Sequence, residues 1–119
     1  MRSHDLGRTS ENLACEFLRA RGWRILERNY RAGHKEIDII ARRGATVAFI
    51  EVKARAGDGW GHALEAITWA KRREIAYVAR SWMRTFPAVA KEYRFDAIAI
   101  TWRGASHLLE HVENAWTLR

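Results

Sequence analysis

Between Thr9 and Arg21 the apolar residues Leu13, Ala14, Phe17 and Leu18 recur three and four positions apart, and Gly22 follows. That spacing predicts an amphipathic helix with a glycine stop, and it makes Cys15 core filler. The period then shortens. Trp23 to Tyr30 reads as a strand, and a loop through Ala32 and Gly33 leads to a second strand in KEIDIIAR, residues 35–42. After Arg43 and Gly44 a third follows in TVAFIEVKAR, residues 46–55. The glycine-rich AGDGWGHAL, residues 56–64, separates these strands from a second helix with the apolar stripe Ile75, Val78, Ala79, Trp82 and Met83. The opposite face of that helix carries Arg73, Arg80 and Arg84. Beyond Pro87, YRFDAIAITW reads as a buried strand and SHLLEHVENAW as a weaker strand or short mixed end. The order α-β-β-β-α-β-β is an α/β arrangement.

The second and third strands carry a pattern from which their pairing can be derived. With Gly44-Ala45 as a two-residue type II′ loop, Arg43 pairs with Thr46 and the numbers of later partners sum to 89. Asp38 then faces Glu51, Glu36 faces Lys53 and Ile40 faces Phe49. Ile37, Ile39, Ala41, Ala48, Ile50 and Val52 fall on the other face, which is wholly apolar. A slip of one residue would mix the two sets, so the pattern supports the register independently of the turn.

Like charges directly opposite on a sheet repel. An oxygen-preferring divalent ion between Asp38 and Glu51 would remove that repulsion, and Lys53 lies on the same face two residues on. Carboxylates that hold Mg²⁺ or Mn²⁺ with its waters and a phosphate oxygen, with a lysine beside them as a cation for the phosphate or the attacking water, suit phosphodiester chemistry. The plainer reading is a solvated strand face with a Glu36–Lys53 ion pair.

Composition sharpens the choice of partner. The 119 residues hold 21 Lys and Arg against 14 Asp and Glu, a formal charge of +7, and the pI is near 10.3. Residues 1–60 carry +4 and residues 61–119 carry +3, so the excess belongs to a folded surface and favours a polyanion such as nucleic acid. The 48% apolar and 29% charged fractions are those of one globular domain spanning residues 1–119. One cysteine precludes an intrachain disulfide. No apolar run approaches the roughly 20 residues that cross a bilayer, and the N-terminal segment lacks a signal-peptide core. No membrane association and a cytoplasmic location are the expectation.

Other residues carry two readings each. Glu11 shares the helix stripe of Ala14, Cys15 and Leu18, which turns its carboxylate toward the sheet; as a first-turn acid it would instead complement the helix dipole. Lys71, Arg72 and Arg73 open the second helix, where positive charge opposes the dipole, so a phosphate partner or a solvated surface would explain them. Trp60, between Gly59 and Gly61, would stack on a base or cap the core. Asp96, set in an apolar strand, needs a partner if buried and reads as structural. His107 and His111 do not make a zinc site in this setting.

With these residues in place, the motif D38-x12-E51-V52-K53 resembles that of the PD-(D/E)xK nuclease superfamily. More closely, the chain resembles the YraN-like family of small bacterial proteins through Gly7 and Glu11, RNYR at 28–31, EIDIIA at 36–41 and FIEVKxR at 49–55. WG at 60–61, TxxK at 68–71 and RFD at 94–96 extend the match over nearly the whole chain. Ser10 and Lys35 depart from it, each standing where a glycine is expected. The resemblance implies a restriction-endonuclease-like three-layer core with a mixed central sheet. It also implies Asp38 and Glu51 as metal ligands, Lys53 as the catalytic lysine and Glu11 as a helix acid entering the site, like that of archaeal-type Holliday junction resolvases.

The sequence therefore points to a Mg²⁺- or Mn²⁺-dependent nuclease acting on nucleic acid, with DNA, branched DNA included, favoured over RNA. Glu36 would support the site, and Lys71, Arg72, Arg73 and Trp60 would contact the nucleic acid. Cutting both strands of a duplex would require a homodimer or successive nicks. The rival is a non-enzymatic module that binds nucleic acid or protein on the same fold.

Overall fold

The computed structural model describes residues 3–57 and 63–117. Helix α1 spans Ser3–Ala20, starting earlier than its densest apolar stripe because Leu6 also packs against the core. Gly22, with φ of 86°, ends it in a Schellman motif: Gly22 N donates to Arg19 O and Trp23 N to Leu18 O. Strands β1 (Arg24–Ala32), β2 (Lys35–Arg43) and β3 (Thr46–Ala56) follow. A short 3-10 turn at Ala63–Ala66 precedes α2 (Trp69–Thr85), whose first turn is capped by the Thr68 hydroxyl accepting from Lys71 N at 3.1 Å. Strands β4 (Glu92–Arg103) and β5 (Ser106–Trp116) follow, so SHLLEHVENAW is a full strand and not a short mixed end. Its register follows from a second tight Arg-Gly-Ala loop at Gly104, the counterpart of the one at Gly44.

The five strands form one mixed sheet in the order β1-β2-β3-β4-β5. Only β3 and β4 run parallel, joined through α2, and the other neighbours are antiparallel. Each face of the sheet is covered by one helix. Ile39, Ala41, Ala48, Ile50, Ile98 and Ile100 pack with Ala14, Cys15 and Leu18 of α1. Ile40, Phe49, Ala97 and Ala99 pack with Ile75, Val78, Ala79 and Trp82 of α2. No described helix is long and apolar enough to cross a membrane.

The derived β2–β3 register is observed from Arg43–Thr46 through Ile39–Ile50, where direct pairing ends. Beyond that point the expectation fails. Ile37 sits in the α2-side cluster with Ile40, not on the α1 side with Ile39, so β2 changes face between them. Glu36, accordingly, does not oppose Lys53; it pairs with Arg31 of β1, at 3.3 Å.

Candidate active site

The face change occurs at Asp38. Its carboxylate neither joins the α2-side cluster nor turns away from β3; its Oδ2 accepts the Val52 N–H at 2.7 Å. A side chain thus takes up a backbone donor of β3 where the β2–β3 ladder has ended. This brings Asp38 into hydrogen-bonding contact with the carboxyl of Glu51. Glu51 stays on the α2 side of β3, beside Ala97 of β4, and is 3% exposed. Among the described residues its Oε2 has no hydrogen-bond partner. Lys71 of α2 places its Nζ 3.7 Å from that oxygen.

Two acids enclosed together cannot both ionise cheaply. Burial, the hydrogen bond to Glu51 and the charge of Glu51 push the Asp38 carboxyl up to about 9, against the opposing pull of Val52 N–H and Lys71. Lys53, half-buried, pairs with Ala99 of β4 and lies on the same face as Glu51.

The residues fit a hard divalent ion. Glu51 Oε2 is a buried acceptor without a donor, and Asp38 retains a proton that an ion would displace. Among the described residues no set of three Asp, Glu, His or Cys side chains converges on one point. Asp38 and Glu51 would therefore hold the ion as a pair, with waters and substrate oxygens completing its shell, as Mg²⁺ commonly requires.

On the α1 side, Glu11 approaches the same centre. Burial and the charge of Asp38 raise its carboxyl, while Asn29 and Arg28 act in the other direction. Asn29 Nδ2 donates to Glu11 Oε1 at 3.0 Å and to Glu36 Oε1 at 2.6 Å, joining helix and sheet through one amide. Asn29 adopts φ of 51°, a left-handed conformation that Asn tolerates better than most residues. Arg28 Nη2 reaches Glu11 at 3.8 Å and donates to Asn12 Oδ1 at 2.8 Å. Gly7, Arg8, Arg28, Asn29, Arg31 and Glu36 are among the walls of an open cleft of about 630 Å³ beside Glu11.

The sequence assigned Asn29 no role, although its place in RNYR offered a signal. It also grouped Lys71 with Arg72 and Arg73 as one outward cationic patch. Lys71 instead turns toward Glu51, and Arg72 Nε donates to Ile67 O at 3.0 Å with its guanidinium over Trp69 and Trp116. Arg73 is exposed. Trp60 lies outside the described residues.

Asp96 has a structural setting, as its sequence context suggested. It is 0% exposed and receives Arg94 Nε and Nη2 at 3.0 and 3.2 Å, Asn114 N at 2.9 Å and His111 Nε2 at 2.8 Å. Burial acts to raise its carboxyl, but the bonds from His111, Arg94 and Asn114 outweigh it and hold the group below the usual range. Ser10, the first departure from the family pattern, is buried and accepts from Trp102 Nε1 at 2.9 Å. Lys35, the second, lies over the Tyr77 ring at 4.8 Å.

Helix, mixed sheet and helix in this order make an α/β protein with a three-layer core of the restriction-endonuclease-like kind, with an acidic pair where two strands part. Uncharacterised protein family UPF0102 matches residues 10–100, and the chain belongs to that family. It is 44% identical to a UPF0102 protein of Chlorobium phaeobacteroides over 119 residues, 95% of this chain and 94% of the relative. A UPF0102 protein of Nitratidesulfovibrio vulgaris is 39% identical over 97% of this chain and 86% of its own length. One from Clavibacter michiganensis is 38% identical over 96% and 98%.

Proposed function

We propose that this protein is a metal-dependent nuclease of the cytoplasm that hydrolyses phosphodiester bonds, with DNA, branched forms included, preferred to RNA. The observation that carries the reading is the contact between Asp38 and Glu51, with one buried Glu51 oxygen left without a donor. Such a pair keeps a proton at neutral pH, and replacing that proton with Mg²⁺ or Mn²⁺ lets both carboxylates ionise. When bound, the ion supplies positive charge for the phosphoryl oxygens. Lys53 positions the attacking water or a phosphate oxygen from the Glu51 face. Lys71 limits the negative charge that accumulates on Glu51. Glu11 and Glu36 hold the Asn29 amide from two sides and so brace β1 beside Asp38.

The test is cleavage of branched, flapped and single-stranded DNA and of RNA, with Mg²⁺ or Mn²⁺ and with chelator. Activity is expected only with metal and is abolished by Asp38→Ala; cleavage that survives this substitution overturns the mechanism. One observation favours the rival binding module: the Lys71–Glu51 ion pair balances one carboxylate without any metal. Binding without cleavage on every substrate, metal present, supports that rival.

A further inference from the structure

Four large hydrophobic side chains are exposed among the described residues: Trp69, Tyr77, Phe86 and Leu108. The first two share the outer ridge of α2 with Arg73, Arg80 and Arg84, all exposed. Steps of four, four, three and four residues place Trp69, Arg73, Tyr77, Arg80 and Arg84 along one helical face. Trp69 and Tyr77 are 59% and 47% exposed, unlike core aromatics such as Trp82, which is 2% exposed. Each has a cation over its ring, Arg72 at 4.6 Å from Trp69 and Lys35 at 4.8 Å from Tyr77.

The ridge carries no carboxylate. Glu74 is the only acid of α2, and it lies off this stripe, 4.0 Å from Lys71. Among the described residues Arg73, Arg80 and Arg84 take part in no ion pair. Two of the three arginines lining the α1-side cleft differ, since Arg28 and Arg31 are engaged with Glu11 and Glu36. The ridge begins in the same helical turn as Lys71, whose ammonium lies on the inner side of α2, 3.7 Å from the buried Glu51.

We infer that the outer ridge of α2 binds a single-stranded segment of nucleic acid, with bases stacked on Trp69 and Tyr77 and phosphates on Arg73, Arg80 and Arg84. The two rings are about 12 Å apart along the axis, so they serve separate bases of one strand. Paired bases already stack on one another and offer a duplex-binding protein their edges and phosphates, so two exposed rings favour an unpaired strand. Only the destination of the strand, the Asp38–Glu51 pair, rests on the nuclease reading.

The experiment is fluorescence anisotropy with the full chain in chelator, so that binding is read without cleavage. The probes are a labelled oligothymidylate of about 16 nucleotides, long enough for one such site, and a blunt duplex of the same length. The wild type is expected to bind the single strand more tightly. Trp69→Ala with Tyr77→Ala should weaken oligothymidylate binding about tenfold or more and change duplex binding by less than about twofold. Arg73→Gln, Arg80→Gln and Arg84→Gln together should weaken both and flatten the salt dependence. These positions are exposed, and thermal melts check that each variant stays folded. Unchanged oligothymidylate binding by the ring variant overturns the inference, as does an equal loss on the duplex or competition by polyglutamate as effective as by oligothymidylate. Ring-dependent binding without cleavage in Mg²⁺ or Mn²⁺ would leave the ridge standing and remove the nuclease reading alone.

Discussion

Asn29 of β1 and Asp38 of β2 lie at one level of the sheet, between the pairs Arg28–Ile39 and Tyr30–Ile37, and both strands change face there. Arg28 reaches Asn12 of α1 while Tyr30 packs on the α2 side, and Ile39 and Ile37 divide in the same way. Residues two apart on a regular strand share a face. The coupled break leaves two polar side chains free to lie between the layers: the Asn29 amide bonds Glu11 and Glu36, and the Asp38 carboxylate bonds Val52 of β3.

Asp38 gives the fold a pH dependence of definite sign. Its carboxyl is raised from 3.8 to about 9, so between those values the unfolded chain has lost a proton that the folded chain retains. Folding stability from this group therefore falls as pH rises across that window. Asp38→Asn removes the ionisable group. Urea denaturation at mildly acidic and mildly alkaline pH should show the variant gaining on the wild type toward the alkaline side, and a constant difference would refute the assignment.

Mn²⁺ must displace that proton to bind. Calorimetric titration should release protons, give tighter binding as pH rises, and lose the signal in Glu51→Gln. Thermal stability of the wild type should rise with Mn²⁺ and return on adding chelator. Equal Mn²⁺ affinity in wild type and Glu51→Gln would remove Glu51 from the site.

Asp96 should behave as a fastener for β4 and β5. Asp96→Ala removes the buried acceptor shared by Arg94, His111 and Asn114 N, leaving Arg94 with the more exposed Glu92 and Glu113, and is expected to cost about 3–5 kcal/mol, measured by urea denaturation. Because its carboxyl is held below 3.8, the stability it contributes is present above that value and is lost as pH falls through the lower folded one. A loss within the range of ordinary surface substitutions would count against the network.

Asn29→Ala removes both amide bonds and keeps a side chain at φ of 51°. A loss of about 1–3 kcal/mol is expected from the two lost hydrogen bonds and the backbone conformation together. Asn29→Gly relieves the conformational part only, so it should fall between Ala and wild type in a denaturant titration.

What the sequence determined by itself was everything set by local period and turn chemistry. The helix stripes, the Gly44 loop and the alternation of Ile39, Ala41, Ala48 and Ile50 specified the elements and the β2–β3 register through Ile39. The same alternation, extended two residues further, misplaced Ile37 and paired Glu36 with Lys53, because a strand pattern carries no sign of where its partner departs. Tertiary structure decided the rest. The turn of Asp38 toward Val52, the pairing of Lys71 with Glu51 across the connection from β3 to α2, and the His111 and Asn114 bonds to Asp96 all join residues remote in sequence. Their partners are chosen by which buried charge lacks a counterpart once the layers close, and the local order of residues does not encode that choice.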